Sequence, residues 1–171
     1  MGNNKVKIGK LKLICHRKYS DVYEEFLDNK TYCLKVRRPS PNLAMKSIVE
    51  SYKNYFNLKN RKGLVKVYDF WLKENTAYIR MEYLKDYISL VDWLKKNNNI
   101  ERQKEVIIKI LEIFFIMIKE GFIYLDYGYG NYMINKELKI KVIDLDILVK
   151  DRTQRLHWLG IGFLALLNNI K

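Results

Sequence analysis

GFIYLDYGYGNYMINKELKIKVIDLD, from Gly121 to Asp146, decides how this chain is read. It sets a carboxylate at Asp126, an amide at Asn131 and a second carboxylate at Asp144, the last at the end of an apolar run, IKVI, that reads as a strand. Immediately upstream, Ile100 to Glu120 (IERQKEVIIKILEIFFIMIKE) is apolar nearly all round, the pattern of a helix packed on several sides, with Gly121 as its C-cap. A rigid helix feeding straight into this loop fixes where Asp126 points.

Working outward toward the amino terminus, MEYL at 81–84 ends an antiparallel pair, Val65 to Leu72 and Thr76 to Tyr83, joined at Lys73-Glu74-Asn75. It leads into an amphipathic helix beginning near Ser89. Further back, LAMKSIVESYKNYFNL is helical, with Leu43, Ile48, Val49, Tyr52 and Phe56 as its apolar positions and Glu50 at mid-helix. Before Pro39 and Pro41 stand three strands, at 5–14, Val22 to Phe26 and Tyr32 to Arg37, the last two joined by a turn around Asp28 and Asn29. The third, YCLKVR, carries one lysine, Lys35, amid apolar neighbours. Toward the carboxyl terminus, Leu156, Leu159, Phe163, Leu166 and Leu167 line one side of a last helix, and the isolated His157 reads as a packing or capping residue.

Composition sets the bounds. At 171 residues and 49% hydrophobic, the chain is enough for one folded domain with a real core, and disorder is excluded. Cys15 and Cys33 lack metal-type spacing and read as reduced thiols of a cytoplasmic protein. No secretory signal is expected in MGNNKVKIGK, and the run from Val106 to Ile118 is too short and too interrupted to span a bilayer. A formal charge of +13 draws anions to the surface without naming them: ATP, a phosphorylated glycolipid, an anionic membrane face and nucleic acid all fit, nucleic acid being the less favoured.

In order, strand lysine in YCLKV, helix glutamate, MEYL, long helix, GFIYLD, Asn131 and IDLD, the chain resembles a minimal member of the protein-kinase-like superfamily from about Ser20 to Asp146. The resemblance implies an α+β fold: an N-terminal antiparallel sheet with one helix (about 1–82), a hinge at about 82–86 and a reduced, mostly helical C-lobe (about 87–171). It implies ATP and Mg²⁺ as cofactors. Asp126 would be the catalytic residue that positions the acceptor hydroxyl and takes its proton, with Asn131 and Asp144 as metal ligands. Lys35 would hold the ATP phosphates and Glu50 would orient Lys35, Glu24 and Glu25 being poorer choices on an earlier strand. Backbone near Ser20 and Asp21 would cover phosphate, and backbone of Glu82 and Leu84 would meet adenine.

Departures from the protein-kinase pattern narrow this. HRKYSDVYE stands where a Gly-rich loop would be, and resembles the Ser-Asn/Asp-x-Val-Tyr of aminoglycoside-type phosphotransferases. Tyr124 and Leu125 replace His-Arg, Gly128 replaces the loop lysine, and Asp146 replaces the Gly of Asp-Phe-Gly. Gly130-Asn131 and the short run after Asp144 are similar to small-molecule kinases, and most of all to bacterial lipopolysaccharide core heptose kinases. That resemblance implies ATP-dependent phosphorylation of a sugar hydroxyl in a lipopolysaccharide core or similar glycan, by a cytoplasmic protein that can sit at the inner face of the cytoplasmic membrane. Two other readings stay open: a pseudokinase or nucleotide-binding interaction module, and a small kinase-like ATPase of an RNA-modifying assembly. Oligomeric state is left undetermined.

Overall fold

A computed structural model of the chain describes residues 6–150, so the expected last helix and His157 lie outside the described residues. The architecture is mixed α+β and divides into two compact units. One combines the chain up to Met45 with Lys66–Leu84, and the other combines Lys46–Val65 with the chain from Lys85 on.

The first unit is a five-stranded antiparallel sheet, built from β1 (Lys10–Arg17), β2 (Ser20–Leu27), β3 (Lys30–Arg37), β4 (Val67–Lys73) and β5 (Thr76–Glu82) in the order β1-β2-β3-β5-β4. Two of its hairpins are set by local chemistry. Asp28-Asn29 and Glu74-Asn75 all take positive φ (48 to 60°), the two-residue connection whose twist matches the flanking strands. The first strand begins at Lys10, later than the alternation at 5–14 suggests, because its register is dictated by β2, with Arg17 opposite Ser20 and Lys10 opposite Phe26. Gly9, just before it, has no room for a side chain: a Cβ would stand 2.1 Å from the carbonyl oxygen of Phe26.

Central strands β3 and β5 are buried on both faces, so strict alternation fails there. One face carries Lys35 between Val22 and Ile79. The other carries an ion pair that hydrophobic patterning does not reveal. Arg80 donates from Nε to Glu25 Oε2 at 2.7 Å and from Nη2 to Glu25 Oε1 at 2.9 Å, and Asp69 accepts from its Nη1 at 2.7 Å. Glu25 also accepts from the N–H of Gly9, and Lys7 O accepts from Arg80 Nη2, so both carboxylate oxygens and all three guanidinium nitrogens of this buried pair are hydrogen-bonded.

The second unit contains helices α1 (Met45–Asn57), α2 (Leu90–Lys96) and α3 (Ile100–Lys119), with two small sheets. One pairs β7 (Phe122–Tyr124) with β10 (Leu148–Lys150); the other orders β6 (Ile88–Ser89), β8 (Tyr132–Ile134) and β9 (Ile140–Val142). Caps explain the helix starts: Ser89 Oγ accepts from the N–H of Asp92, and Asn99 Oδ1 from that of Arg102. Gly121, at φ 82°, ends α3 as its sequence suggests.

The amino-terminal part of α1 resembles its expected amphipathic form, but its buried face is partly polar. Tyr55 is buried and Phe56 is exposed, the reverse of the apolar reading, and Ser51 and Asn54 are buried beside Ile48 and Tyr52. The polar pair is satisfied by the segment after Asp144: Ser51 Oγ donates to Asp146 O at 2.8 Å, and Asn54 Nδ2 donates to Leu148 O at 2.9 Å. These bonds tie α1 to the segment after Asp144, and α1 from Lys46 on falls in the second unit.

Candidate functional site

The loop from Leu125 to Asn131 is held at both ends. Before it, β7 pairs antiparallel with β10, and the N–H of Leu125 continues the ladder by donating to Ile147 O at 3.1 Å. After it, a 3₁₀ turn (Tyr129–Asn131) closes with Asn131 N donating to Gly128 O at 2.9 Å, and β8 then pairs with β9. Three-residue strands contribute little alone. Their effect is to fix one end of the loop against β10 and the other against β9.

Asn131 joins the three residues that the sequence singles out. Its Nδ2 donates to the carbonyl of Asp126 at 3.4 Å, and its own carbonyl accepts from the N–H of Ile143, next to Asp144, at 2.9 Å. Asp126, Asn131 and Asp144 are thus brought together in one unit, all half-buried. Asp126 Oδ1 accepts from Gly128 N at 3.3 Å, and Asp144 Oδ1 accepts from Asp146 N at 3.3 Å, so each carboxylate is oriented by a backbone N–H two residues on.

Under the loop lies an aromatic bed. Phe114 of α3 is 5.4 Å from the Tyr127 ring, 6.1 Å from Tyr124 and 6.2 Å from Tyr132, centroid to centroid. The hydroxyls of Tyr124 and Tyr132 are buried without a hydrogen-bond partner among the described residues. Burial pushes the Tyr124 hydroxyl well above its usual range, and the charges of Asp144 and, more weakly, Asp126 push it the same way. Burial likewise raises Tyr132, and takes Tyr127 up to about 12. These tyrosines are neutral packing groups at physiological pH, so the charge at the site comes from the carboxylates.

The two loop glycines are not needed by the backbone. A Cβ at Gly128 would make ordinary contact with Asp126 Oδ1 at 3.4 Å and Asn131 Nδ2 at 3.7 Å, and one at Gly130 would meet nothing within 4 Å. A side chain at 128 would therefore stand beside the Asp126 carboxylate, and glycine keeps that place free. The donor set suits a hard divalent ion such as Mg²⁺, which takes carboxylate and amide oxygens and completes its shell with water and phosphate. With Nδ2 turned to Asp126 O, the Asn131 side chain is left with Oδ1 as its acceptor. Among the described residues no three His, Cys, Asp or Glu side chains converge as a metal site, so such an ion would draw on Asn131 and Asp144 with its other ligands from outside the protein.

Asp146, which stands where Asp-Phe-Gly would have its Gly, is buried, and the Tyr52 hydroxyl donates to its Oδ1 at 3.1 Å. Burial, then the charges of Asp146 and Asp144, hold that hydroxyl protonated well above its ordinary value.

The expected nucleotide residues fall in different places. Lys35 is buried on β3, opposite Val22 and Ile79, and Ser20 opens β2 opposite Arg37. Asp21, beside Ser20, is tied to Arg38 Nη1 at 2.7 Å and His16 Nδ1 at 2.6 Å, so it braces the β1–β2 tip. The N–H of Glu82 donates to Lys66 O at 2.8 Å, which leaves that group unavailable to an adenine; Leu84 lies beyond the last paired position of β5. Glu50, expected to orient Lys35, lies on the exposed side of α1. Its side chain is 64% exposed, with Lys53 Nζ 3.9 Å away on the same helix.

No family model matches the chain, and no curated protein is similar to it.

Proposed function

We propose that the protein is an ATP-dependent phosphotransferase whose acceptor is a sugar hydroxyl, of the kind found in a lipopolysaccharide core or a similar glycan. The observation that carries this reading is the Asn131 bridge, which links the Asp126 carbonyl to the residue before Asp144 and so gathers the carboxylate, amide and carboxylate of a transfer site. Asp126 orients the hydroxyl and takes its proton as the oxygen bonds to the γ-phosphorus and the bond to the β-phosphate oxygen breaks, releasing ADP. Mg²⁺ held by Asn131 and Asp144 would neutralise phosphate charge. Lys35 and Ser20 supply nucleotide-binding groups from the sheet. Open space at Gly130 favours a bulky glycan over a group that must be gripped by the loop itself.

The test is transfer of label from ATP, with magnesium, to a panel of lipopolysaccharide cores, small glycosides and generic proteins. Label on glycans, abolished in Asp126→Ala with nucleotide binding retained, is the expected result. Undiminished turnover in Asp126→Ala ends the assignment, and nucleotide binding with no transfer to any acceptor favours an interaction module instead.

A further inference from the structure

The second unit also holds a cavity of about 520 Å³, within the range of small-ligand sites, built from residues that have no part in the transfer chemistry. Its apolar lining comes from Ile113 and Ile116 of α3 and from Leu138 and Ile140 at the β8–β9 turn. One wall is the loop at 61–65, and Gly63 makes that wall possible. Its φ is 80°, and a Cβ there would stand 2.3 Å from Ile113 Cγ1, so no other residue lets the loop lie so close to α3. Bonds of 2.8 Å from Val142 N to Gly63 O and from Val65 N to Val142 O anchor it.

Basic side chains ring this apolar lining. Arg61, Lys62, Lys109, Lys139 and Lys141 face it against two acids, Glu112 and Glu137. Three of the cations are held by the protein: Arg61 by the carbonyls of Tyr55 and Phe56, Lys109 by Glu105 and Leu138 O, and Lys141 by Leu64 O. Lys62 and Lys139 are exposed, and their ammonium groups have no partner among the described residues. On the adjoining outer face of α3, Ile108 and Phe115 are at least half exposed, and Lys119 lies over the Phe115 ring at 4.8 Å. Apolar side chains set among lysines are what an interfacial helix offers a lipid surface.

We infer that this cavity and rim form a docking site for an anionic phospholipid of a membrane surface. The phosphate sits at Lys62 and Lys139, acyl carbons enter over Ile113 and Ile116, and Ile108 and Phe115 rest in the interface. Charge complementarity argues for the anion, and the aliphatic lining argues against a free phosphate as the whole ligand. The available cations are lysines, which meet phosphate as point charges, while the arginine fork that would grip peptide carboxylates is already bonded to backbone. A nucleic-acid groove would present stacking rings, and the cavity has one aromatic, Tyr87. The site needs neither nucleotide nor acceptor, so its fate is separate from that of phosphotransfer.

Sedimentation of the full chain with vesicles of phosphatidylcholine alone, or of equal parts phosphatidylcholine and phosphatidylglycerol, tests this. Binding is expected to the mixed vesicles only, and to be unchanged in Asp126→Ala. The double change Lys62→Glu/Lys139→Glu should lower the partition coefficient at least about thirtyfold, the product of what two basic residues contribute at such a surface, with the two added carboxylates repelled besides. The exposed hairpin lysines provide the control: Lys30→Glu/Lys73→Glu makes the same charge change on the sheet and should leave binding near wild type. Ile108→Ser/Phe115→Ser should weaken binding and make the remainder more sensitive to salt. Thermal melts by circular dichroism establish that each variant is folded. Equal loss from both charge reversals overturns the site in favour of diffuse charge. Failure to bind mixed vesicles, together with binding of single-stranded RNA that Lys62→Glu/Lys139→Glu abolishes, overturns it in favour of nucleic acid.

Discussion

The hydroxyl of Tyr52, on α1, donates to Oδ1 of Asp146 at 3.1 Å inside a fully buried contact. With Ser51 and Asn54 bonded to the same segment, it makes one face of α1 a mould for the chain just past Asp144. Removing the hydroxyl leaves a buried carboxylate oxygen without that donor. Tyr52→Phe is expected to cost about 1.5–3 kcal/mol of stability, the size of a hydrogen bond to a charged group, read as a lower urea midpoint. Combined with Asp146→Asn, it should show a coupling of at least about 0.5 kcal/mol; strict additivity would mean that the two residues do not interact.

A second expectation concerns Glu25 and Arg80. Breaking a buried pair from one side strands the other charge, so Glu25→Met alone should destabilise by about 3–5 kcal/mol. Replacing both with Met removes the stranded charge and should cost less than the single change, although the N–H of Gly9 and the carboxylate of Asp69 lose partners. Urea unfolding of the two variants beside wild type measures this, and a double variant less stable than Glu25→Met contradicts it.

Acid should weaken the sheet through Asp21. A hydrogen bond from Arg38 is the main cause that holds its carboxyl below the ordinary 3.8, opposed by burial and helped by His16. A depressed folded value means that the contribution is complete above pH 3.8 and is lost as pH falls from there through the folded value. Melting temperatures of wild type and Asp21→Asn should therefore differ near neutrality and converge in acid. A gap that stays constant across that range rules out the linkage.

Cys33 shares the Lys35 face of β3. Burial pushes its thiol up to about 11, against a smaller pull from the Lys35 charge. At pH 8 only about a thousandth of it is thiolate, so iodoacetamide should modify it slowly, with the rate rising about tenfold per pH unit. Lys35→Met removes the opposing charge and should slow modification further at fixed pH. Mass spectrometry of the Cys33 peptide gives both rates, and faster labelling in Lys35→Met would place the lysine elsewhere.

Much was legible in the sequence where the physics is local. Asp28-Asn29 and Glu74-Asn75 can adopt positive φ, Ser89 and Asn99 can cap, Gly121 can end a helix, and the spacing of Asp126, Asn131 and Asp144 is visible in one line. Each of these depends on residues a few positions apart, which a reader of the chain sees together. The tertiary structure alone decided that Ser51 and Asn54 are buried, that Glu25 meets Arg80, and that Asn131 joins Asp126 to the residue before Asp144. These are polar groups whose partners lie far along the chain, or strands of three residues too short to show a period. Hydrophobic patterning assigns such groups to the surface, and only folding, by removing water from them, obliges each to find a partner.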